Sequence, residues 1–275
     1  MTGPGGGKPG ERGDASADAR RLNEARFTAT ARSYASSRVT VRREENDALL
    51  RLAAPARADR VLDVACGPGT LLLEFAPFVR HAVGVDLTAA MLEQAGKRVR
   101  DASSTGPTGR VSLVRGAGER LPFPDGVFSL AVNAYALHHF GEPRRVLHEI
   151  TRVVRAGGRV IISDLVGSEN VQARALQNEI EHLRDPSHMG VESARGIAAL
   201  LEGQGLTVIG GAEGSQHREL GEWLRLAHTP PDRAALVRAR ILESLPGDRA
   251  GMTVSVDGEI VRFMHRWAIV AARKP

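Results

Sequence analysis

The chain of 275 residues has a single cysteine, Cys66. One thiol excludes an intrachain disulfide framework and fits a reducing compartment. No apolar run approaches the ~18–20 residues that a membrane-spanning helix needs, and the N-terminus lacks the apolar core of a signal peptide. These absences favour a cytoplasmic protein without a membrane span.

Lysine is also scarce, occurring only at positions 8, 97 and 274. The isoelectric point of about 10.1 raises the question of nucleic-acid binding, yet the formal net charge is only +5. The arginines are interspersed with acids, as in Arg42-Arg43-Glu44-Glu45. This interspersed pattern is typical of solvated helix faces rather than of a track that binds phosphates. We therefore expect no nucleic-acid partner.

Residues 61–70 have the sequence VLDVACGPGT, in which a short buried strand runs into a glycine turn. Helical spacing follows, since a single face can hold Leu72, Phe75, Ala76 and Val79. Glycine at 67 and 69 lets the backbone bend sharply and approach a ligand closely. The amides that open the next helix would then face that ligand. An ordinary βα turn remains the alternative when this segment is taken alone.

A second predicted strand, residues 81–86, ends on Asp86, which follows Gly67 by 19 positions. An acid about 20 residues after the glycine turn accepts hydrogen bonds from a ribose in nucleotide-binding folds. A dinucleotide site needs a third glycine where Leu72 stands here. The pattern thus indicates a nucleoside-sized ligand without a diphosphate bridge.

Five segments follow one another in a characteristic order: residues 61–69, 84–87 (GVDL), 116–123 (GAGERLPF), 136–140 (ALHHF) and 149–158 (EITRVVRAGG). Together they resemble the class I S-adenosylmethionine-dependent methyltransferases, in the ubiquinone/menaquinone C-methyltransferase-like branch (methyltransferase type 11). The resemblance covers roughly residues 30 to 165. It implies S-adenosylmethionine as cofactor, S-adenosylhomocysteine as product, and methyl transfer to an oxygen, carbon or nitrogen of a small-molecule metabolite.

The implied fold is α/β and Rossmann-like, a doubly wound and mostly parallel seven-stranded sheet. Strands are predicted at 61–65, 81–86, 111–115, 128–133, 159–165, 206–210 and 263–271. Helices are predicted at 22–52, 89–100, 142–154, 193–202 and 221–245, with a loop at 101–109. Helical insertions at the N-terminus and after the fifth strand are expected to form a lid.

Composition predicts a disordered tail at 1–18. The resemblance implies one methyltransferase domain at 19–275. The cofactor half would span about 45–165, and the substrate and lid segments about 20–50, 167–190 and 212–250. The last part of the insertion, Arg184-Asp185-Pro186-Ser187-His188, resembles small-molecule members of the same superfamily. A homodimer through this insertion is left open, because no specific signal favours it.

The resemblance also implies which residues bind the cofactor: Tyr34, Asp63, Ala65, Gly67, Gly69, Asp86, Leu87, Met91, Ala117, Gly118, Asn133, Ala134 and His138. Tyr34 could equally be an aromatic residue that packs its helix onto the core. Ala117 departs from the family, which usually has an aspartate there for the adenine amino group. The backbone of Ala117 and Gly118 could still contact the ring.

Three histidines, His138, His139 and His188, are the candidates for proton transfer, because an imidazole titrates near neutral pH. A base is needed only if the acceptor carries a proton that the transition state cannot tolerate. His139 could equally be a hydrogen-bonded packing residue. We expect no metal site, because adjacent histidines on a helix diverge and no carboxylate cluster is nearby.

The acceptor is expected to be small, since the segment after the fourth strand lacks the Asn/Asp-Pro-Pro-aromatic motif of nucleic-acid amine methyltransferases. A Pro-Cys nucleophile and an appended RNA-binding module are missing as well. Two other functions stay open: a bound S-adenosylmethionine used in non-methyl chemistry such as a cyclisation, and a regulatory protein that senses S-adenosylmethionine.

Overall fold

A computed structural model describes residues 12–36, 43–105 and 110–275 of the chain. The helices are α1 (Arg12–Ser36), α2 (Arg43–Ala53), α3 (Thr70–Phe75), α4 (Ala89–Thr105), α5 (Pro143–Val153), α6 (Val171–Arg184), α7 (Ala194–Glu202), α8 (Leu220–Leu226) and α9 (Pro231–Glu243). The strands are β1 (Arg60–Val64), β2 (His81–Asp86), β3 (Arg110–Arg115), β4 (Phe128–Ala134), β5 (Val154–Val166), β6 (Thr207–Glu219), β7 (Ser255–Asp257) and β8 (Ile260–Arg273).

The sheet has the strand order β3-β2-β1-β4-β5-β8-β6, and β7 pairs with β8 outside this path. The first five strands, β1 to β5, are parallel to one another, whereas β8 runs antiparallel to both β5 and β6. This confirms the doubly wound, mostly parallel α/β fold. The prediction of seven strands was wrong by one: the described residues form eight, because Gly258 turns the chain so that β7 can pair with the start of β8.

Alternating strand residues bury the two faces of the sheet in separate cores. Leu62 and Ile162 belong to the core under α5 and α7, whereas Val61 and Ile161 belong to the core under α2 and α3. Strands covered on both faces are typical of a parallel sheet whose crossover helices lie on either side. The carboxyl ends of the strands are left free at one edge, where ligands bind in such folds.

A third apolar cluster joins the insertion to the C-terminal part of the chain. Ile180 of α6, Trp223 of α8, Ile241 of α9 and Phe263 of β8 pack together and are buried. The segment 212–250, which is predicted to belong to the substrate and lid segments, is helical only in part, because its residues 212–219 continue strand β6. The predicted helix 221–245 is two helices, because Pro230 and Pro231 interrupt it between α8 and α9.

Three other boundaries differ from the predictions. Helix α1 begins at Arg12, within the segment 1–18 that composition predicts to be disordered, and residues 1–11 lie outside the described residues. The predicted helix 22–52 corresponds to α1 and α2, and residues 37–42 between them are not described. Helix α4 continues to Thr105, into the predicted loop 101–109, of which residues 106–109 are not described.

Helix α1 crosses the carboxyl edge of the sheet and is attached on both sides. Arg115 pairs with Glu24 at 2.7 Å, and Arg26 pairs with Asp185 at 2.8 Å. Asn23 Nδ2 donates to the carbonyl of His139 at 2.7 Å. These contacts place α1 as a cover over the free strand ends, as expected for an N-terminal lid.

Candidate active site

The turn between β1 and α3 lies directly against the end of β2. The amide of Gly67 donates to Oδ2 of Asp86 at 2.8 Å, and the amide of Thr88 donates to Oδ1 at 2.8 Å. Gly67 has a φ of +52°, and a Cβ built on it would meet nothing within 4 Å. The turn therefore presents bare backbone to open space, which is the geometry that a close-fitting ligand requires.

Asp63 lies beneath this turn, fully buried in β1. Burial, together with the nearby Asp86 carboxylate, raises the pKa of Asp63 to about 8. Its Oδ2 atom is buried and has no hydrogen-bond partner among the described residues. A buried carboxylate oxygen without a donor is costly, so the site is suited to a ligand that supplies one.

One continuous cavity of about 310 Å³ lies at the carboxyl edge of the sheet. Its turn end is lined by residues of the glycine turn, by the end of β2 and by residues 116–119. Its insert end is lined by residues of α6, α8, β6 and β8. In the strand order, β2 and β3 lie to one side of β1, and β8 and β6 lie to the other. The two ends of the cavity are therefore separated along the carboxyl edge of the sheet. The volume lies within the range of small-molecule sites.

The three predicted histidines lie together between these two ends. The ring centroids of His138 and His139 are 4.2 Å apart, and those of His138 and His188 are 5.2 Å apart. All three are buried and line the cavity. They come from the turn after β4 and from the segment after α6, so only the fold brings them together.

His138 is held by Asp164 at the end of β5. Its Nδ1 lies 2.5 Å from Oδ1 of Asp164, and its backbone amide donates to Oδ2 at 2.9 Å. Burial is the largest single influence and would lower the pKa of His138, but the charge and hydrogen bond of Asp164, together with the charges of Glu181 and Asp185, outweigh it and raise the pKa. This arrangement leaves Nε2 as the ring nitrogen that can accept a proton.

The other two histidines are suited to the neutral state. Burial and the neighbouring His138 hold the pKa of His139 well below its ordinary value, and its Nδ1 donates to the carbonyl of Ser187 at 2.9 Å. Burial lowers the pKa of His188 to about 4. Of the three, His138 is therefore the group with a raised proton affinity.

The insert end carries several buried charges. Glu181 Oε1 accepts from Nε2 of His265 at 2.8 Å, and the guanidinium of Arg184 lies 4.4 Å from the ring centroid of Trp223. Arg218 of β6 also lines this end. Among the described residues, no group of three His, Cys, Asp or Glu side chains is arranged to hold a metal ion.

Most of the residues predicted to bind the cofactor line the cavity: Tyr34, Asp63, Ala65, Gly67, Asp86, Leu87, Met91, Ala117, Gly118, Ala134 and His138. Two do not. Asn133 is fully buried, and its Nδ2 donates to the carbonyl of Val64 at 2.8 Å, which joins β4 to β1. A Cβ on Gly69 would lie 3.1 Å from Ala95, so Gly69 serves the contact with α4. Asn133 and Gly69 thus support the site from behind the cavity lining, and a direct contact of either with the cofactor stays a prediction.

Sequence reasoning also missed several lining residues. Glu45 of α2 lines the cavity and accepts hydrogen bonds from the hydroxyls of Tyr135 and Ser163. Tyr135 has a φ of +53°, which is unusual for a residue other than glycine. A rim position at the end of a strand could have indicated Asp164. No local pattern distinguishes Glu45, because its partners are about 90 or more residues away.

Comparisons with known proteins agree with this geometry. Residues 62–162 match a family model described as a methyltransferase domain. The uncharacterized methyltransferase YcgJ of Bacillus subtilis is 29% identical over 211 residues, which cover 77% of this chain and 82% of YcgJ. The crystal structure of YcgJ matches with a TM-score of 0.79 and 25% identity, covering 84% of this chain and 98% of that one.

Two relatives with quinone-biosynthesis names match over a shorter stretch. A demethylmenaquinone methyltransferase of Clavibacter sepedonicus is 34% identical over 124 residues, 43% of this chain and 48% of that enzyme. The ubiquinone/menaquinone biosynthesis C-methyltransferase UbiE of a Geobacter species is 35% identical over 108 residues, 38% of this chain and 45% of that enzyme. The chain thus matches about half the length of these two enzymes.

None of the described helices is long and apolar enough to cross a membrane.

The ordered sequence motifs, the strand order and the cavity at the carboxyl edge agree with the family model and with the fold of YcgJ. The chain is therefore an S-adenosylmethionine-dependent methyltransferase with a Rossmann-like fold, and its residues 62–162 form a methyltransferase domain that is similar to the UbiE and YcgJ relatives.

Proposed function

We propose that the enzyme methylates an oxygen, carbon or nitrogen atom of a small-molecule metabolite, with S-adenosylmethionine at the turn end and the acceptor at the insert end. The observation that carries this proposal is the single cavity in which the glycine turn and the His138–Asp164 pair share one space. A cavity of about 310 Å³ beneath α1 supports a small acceptor rather than a polymer.

The residues at the turn end fit the cofactor. Asp63 has an unpartnered buried oxygen that an ammonium group would satisfy, and Gly67 leaves open backbone beside it. Asp86 sits where its carboxylate could accept from ribose hydroxyls, and Leu87 and Met91 offer apolar contact to a flat base. When bound, S-adenosylmethionine supplies an electrophilic methyl group.

The enzyme's own contribution is to orient the acceptor and to remove its proton. Holding two reactants in line can contribute up to ~7–11 kcal/mol to lowering the barrier. We assign the proton to Nε2 of His138, because Asp164 fixes Nδ1 as the protonated nitrogen and raises the basicity of the ring. The burial of His138 limits competing contact with water.

We further propose a cytoplasmic location and no nucleic-acid partner. Two features support this: the single Cys66 is unpaired and buried, and the arginines are interspersed with acids.

Isothermal titration with S-adenosylmethionine and S-adenosylhomocysteine tests the cofactor site, with Asp86→Ala as the variant expected to lose binding. Incubation with methyl-tritiated cofactor and a metabolite panel then tests the reaction, and we expect tritium in the product. Tritium that stays on the cofactor while a substrate is consumed would indicate non-methyl chemistry. Tight binding with no product, together with one co-purifying protein, would indicate a regulatory role.

A further inference from the structure

The insert end of the cavity contains two guanidinium groups, from Arg184 of α6 and Arg218 of β6. Arg184 Nε donates to the carbonyl of Trp223 at 3.2 Å, and the guanidinium lies over the indole ring of the same residue. Neither Nη atom of Arg184 has a hydrogen bond to any of the residues that the structure describes. The position of the guanidinium is thus fixed while its terminal donors remain available.

Two carboxylates act on the charge of Arg184, those of Glu181 and Asp185. Glu181 Oε1 accepts from His265, whereas its buried Oε2 has no hydrogen-bond partner among the described residues and forms an ion pair with Nη1 of Arg184 at 3.7 Å. Asp185 pairs with Arg26 and accepts from Ser187. Glu181 thus offsets part of the charge of Arg184 without a hydrogen bond to its terminal donors.

Taking a guanidinium out of water is unfavourable unless an anion with matching geometry meets it. Burial lowers the pKa of both Arg184 and Arg218, and the positive charge of Arg184 lowers the pKa of Arg218 further. Glu222 opposes the charge of Arg218 from an exposed position. The planar, forked donors of arginine match carboxylate and phosphate oxygens, which they can bind through two parallel hydrogen bonds.

Apolar side chains also line the cavity, among them Phe27, Leu165, Trp223 and Leu226. The ring of Phe27 lies 4.9 Å from that of His139, between centroids, and Trp223 lies against Arg184. A molecule that reached from the arginines to His138 would therefore place an apolar or aromatic body against these side chains.

From this placement we propose that the methyl acceptor carries a carboxylate or phosphate group, which Arg184 and Arg218 bind at the insert end. The apolar body of the acceptor then spans the distance to His138 and the methyl donor. This inference rests on the proposed function, since it assigns the insert end to the acceptor.

Trp223 provides a direct readout, because it stacks on Arg184 and is one of only two tryptophans in the chain. A Trp267→Phe background leaves Trp223 as the single reporter. The protein is first saturated with S-adenosylhomocysteine and then titrated with benzoate, phenyl phosphate and the neutral analogue benzamide. We expect one or both anions to change the emission of Trp223 at concentrations at least about tenfold below those that benzamide requires. The two anions together distinguish a carboxylate site from a phosphate site.

Three variants and a matched control test the assignment. Arg218→Gln and Arg184→Lys should each weaken the binding of the preferred anion at least about tenfold, because a charge-assisted hydrogen bond is lost or its fork geometry is broken. Glu181→Gln keeps the shape and the contact with His265 but removes a negative charge, so it should strengthen anion binding. Arg225→Gln, an exposed arginine on α8, should leave anion binding unchanged.

Equal responses to benzoate, phenyl phosphate and benzamide, or no response to either anion, would overturn the proposal. So would unchanged anion affinity in the Arg218→Gln protein, which does not disturb the Arg184–Trp223 stack. The preceding titration with S-adenosylhomocysteine separates the two hypotheses. Its failure would contradict the proposed function, whereas normal binding of that product without anion binding would contradict only this inference.

Discussion

His138 and Asp164 make two hydrogen bonds through one carboxylate, to the ring Nδ1 at 2.5 Å and to the backbone amide at 2.9 Å. The second bond fixes the main chain of the turn after β4 relative to β5, and the first fixes the orientation of the imidazole. An ionised carboxylate beside a buried imidazole favours the imidazolium, so it makes the free ring a stronger base. The pair thus combines positioning with basicity.

We expect His138 to titrate above the ordinary histidine pKa, because the charge and hydrogen bond of Asp164, with the charges of Glu181 and Asp185, together outweigh the effect of burial. Asp164→Asn removes the charge of Asp164, and burial should then bring the pKa of His138 below its ordinary value. Histidine resonances followed by NMR against pH would measure both. Asp125→Asn, which changes an exposed acid paired with Arg152, is the control and should leave His138 unaltered. The same pKa in the wild-type and Asp164→Asn proteins would refute the coupling.

The loss of the base should be visible in turnover. For an oxygen or nitrogen acceptor, His138→Gln should lower kcat by about 10²–10⁴-fold, which is the usual contribution of a positioned general base. The affinity for S-adenosylhomocysteine should change little by comparison. His148→Gln, an exposed histidine on α5, should retain wild-type kcat. A His138→Gln enzyme with full kcat would exclude the proposed proton transfer.

Alanine substitutions at two glycines can distinguish the effect of backbone strain from the effect of lost ligand contact. Gly67 and Gly205 both have positive φ, +52° and +75°, and a Cβ on either would meet nothing within 4 Å. Alanine should therefore destabilise the free protein similarly at both positions, by about 1–2 kcal/mol. Only Gly67→Ala should also weaken the binding of S-adenosylmethionine, because its methyl group would project where the cofactor lies. Thermal unfolding and calorimetric titration measure the two effects, and equal cofactor affinity in both variants would argue against a cofactor at this turn.

Cofactor binding should release a proton from Asp63. In the free protein the pKa of this group is raised to about 8, so at pH 7 it is mostly protonated. An ammonium group beside it would favour the carboxylate, and up to about one proton should then be released per cofactor bound. Titrations in buffers with different ionisation enthalpies measure this number. Asp63→Asn should abolish the release, whereas an unchanged release would place its source elsewhere.

The same substitution should stabilise the protein without ligand. An acid whose pKa is raised on folding contributes stability below its unfolded pKa, and this contribution is lost as the pH rises through the folded pKa. For Asp63 the loss occurs between about 3.8 and 8. At pH 8 the ligand-free Asp63→Asn protein should therefore be more stable than the wild type by at least about 1 kcal/mol, measured by denaturant unfolding. A destabilised variant would contradict this electrostatic account.

The ionisation of Glu181 should affect the pH dependence of stability in the opposite direction to that of Asp63. Burial would raise its pKa, but His265 and the nearby His188 and Arg184 lower it to about 2. An acid whose pKa is depressed on folding contributes stability above its unfolded pKa, near 4.5, and loses this contribution as the pH falls toward 2. The Glu181→Gln protein should therefore show a smaller loss of stability between pH 4.5 and 3 than the wild type. Parallel curves for the two proteins would show that Glu181 does not contribute.

Local sequence was sufficient for the features that depend on neighbouring residues. The alternation and apolar runs of β1, β2 and β4 predict buried parallel strands, and parallel strands end at one edge. The cavity position of Gly67 and Asp86 follows, because Asp86 ends β2 and Gly67 lies in the turn just after β1. The same logic does not place Asn133 and Gly69 at the cavity, because their contacts with Val64 and Ala95 are made to the neighbouring strand and helix.

The sequence by itself determined the layered α/β fold, the class of cofactor and three histidines as candidates for proton transfer. These features depend on short motifs and on the period of the apolar residues. Only the tertiary structure decided which histidine has the raised proton affinity, since Asp164 lies 26 residues after His138 and meets it through the pairing of β4 with β5. It also decided the character of the insert end. Arg184, Arg218 and Trp223 come from three separate elements, and no pattern along the chain records that folding brings them to one cavity.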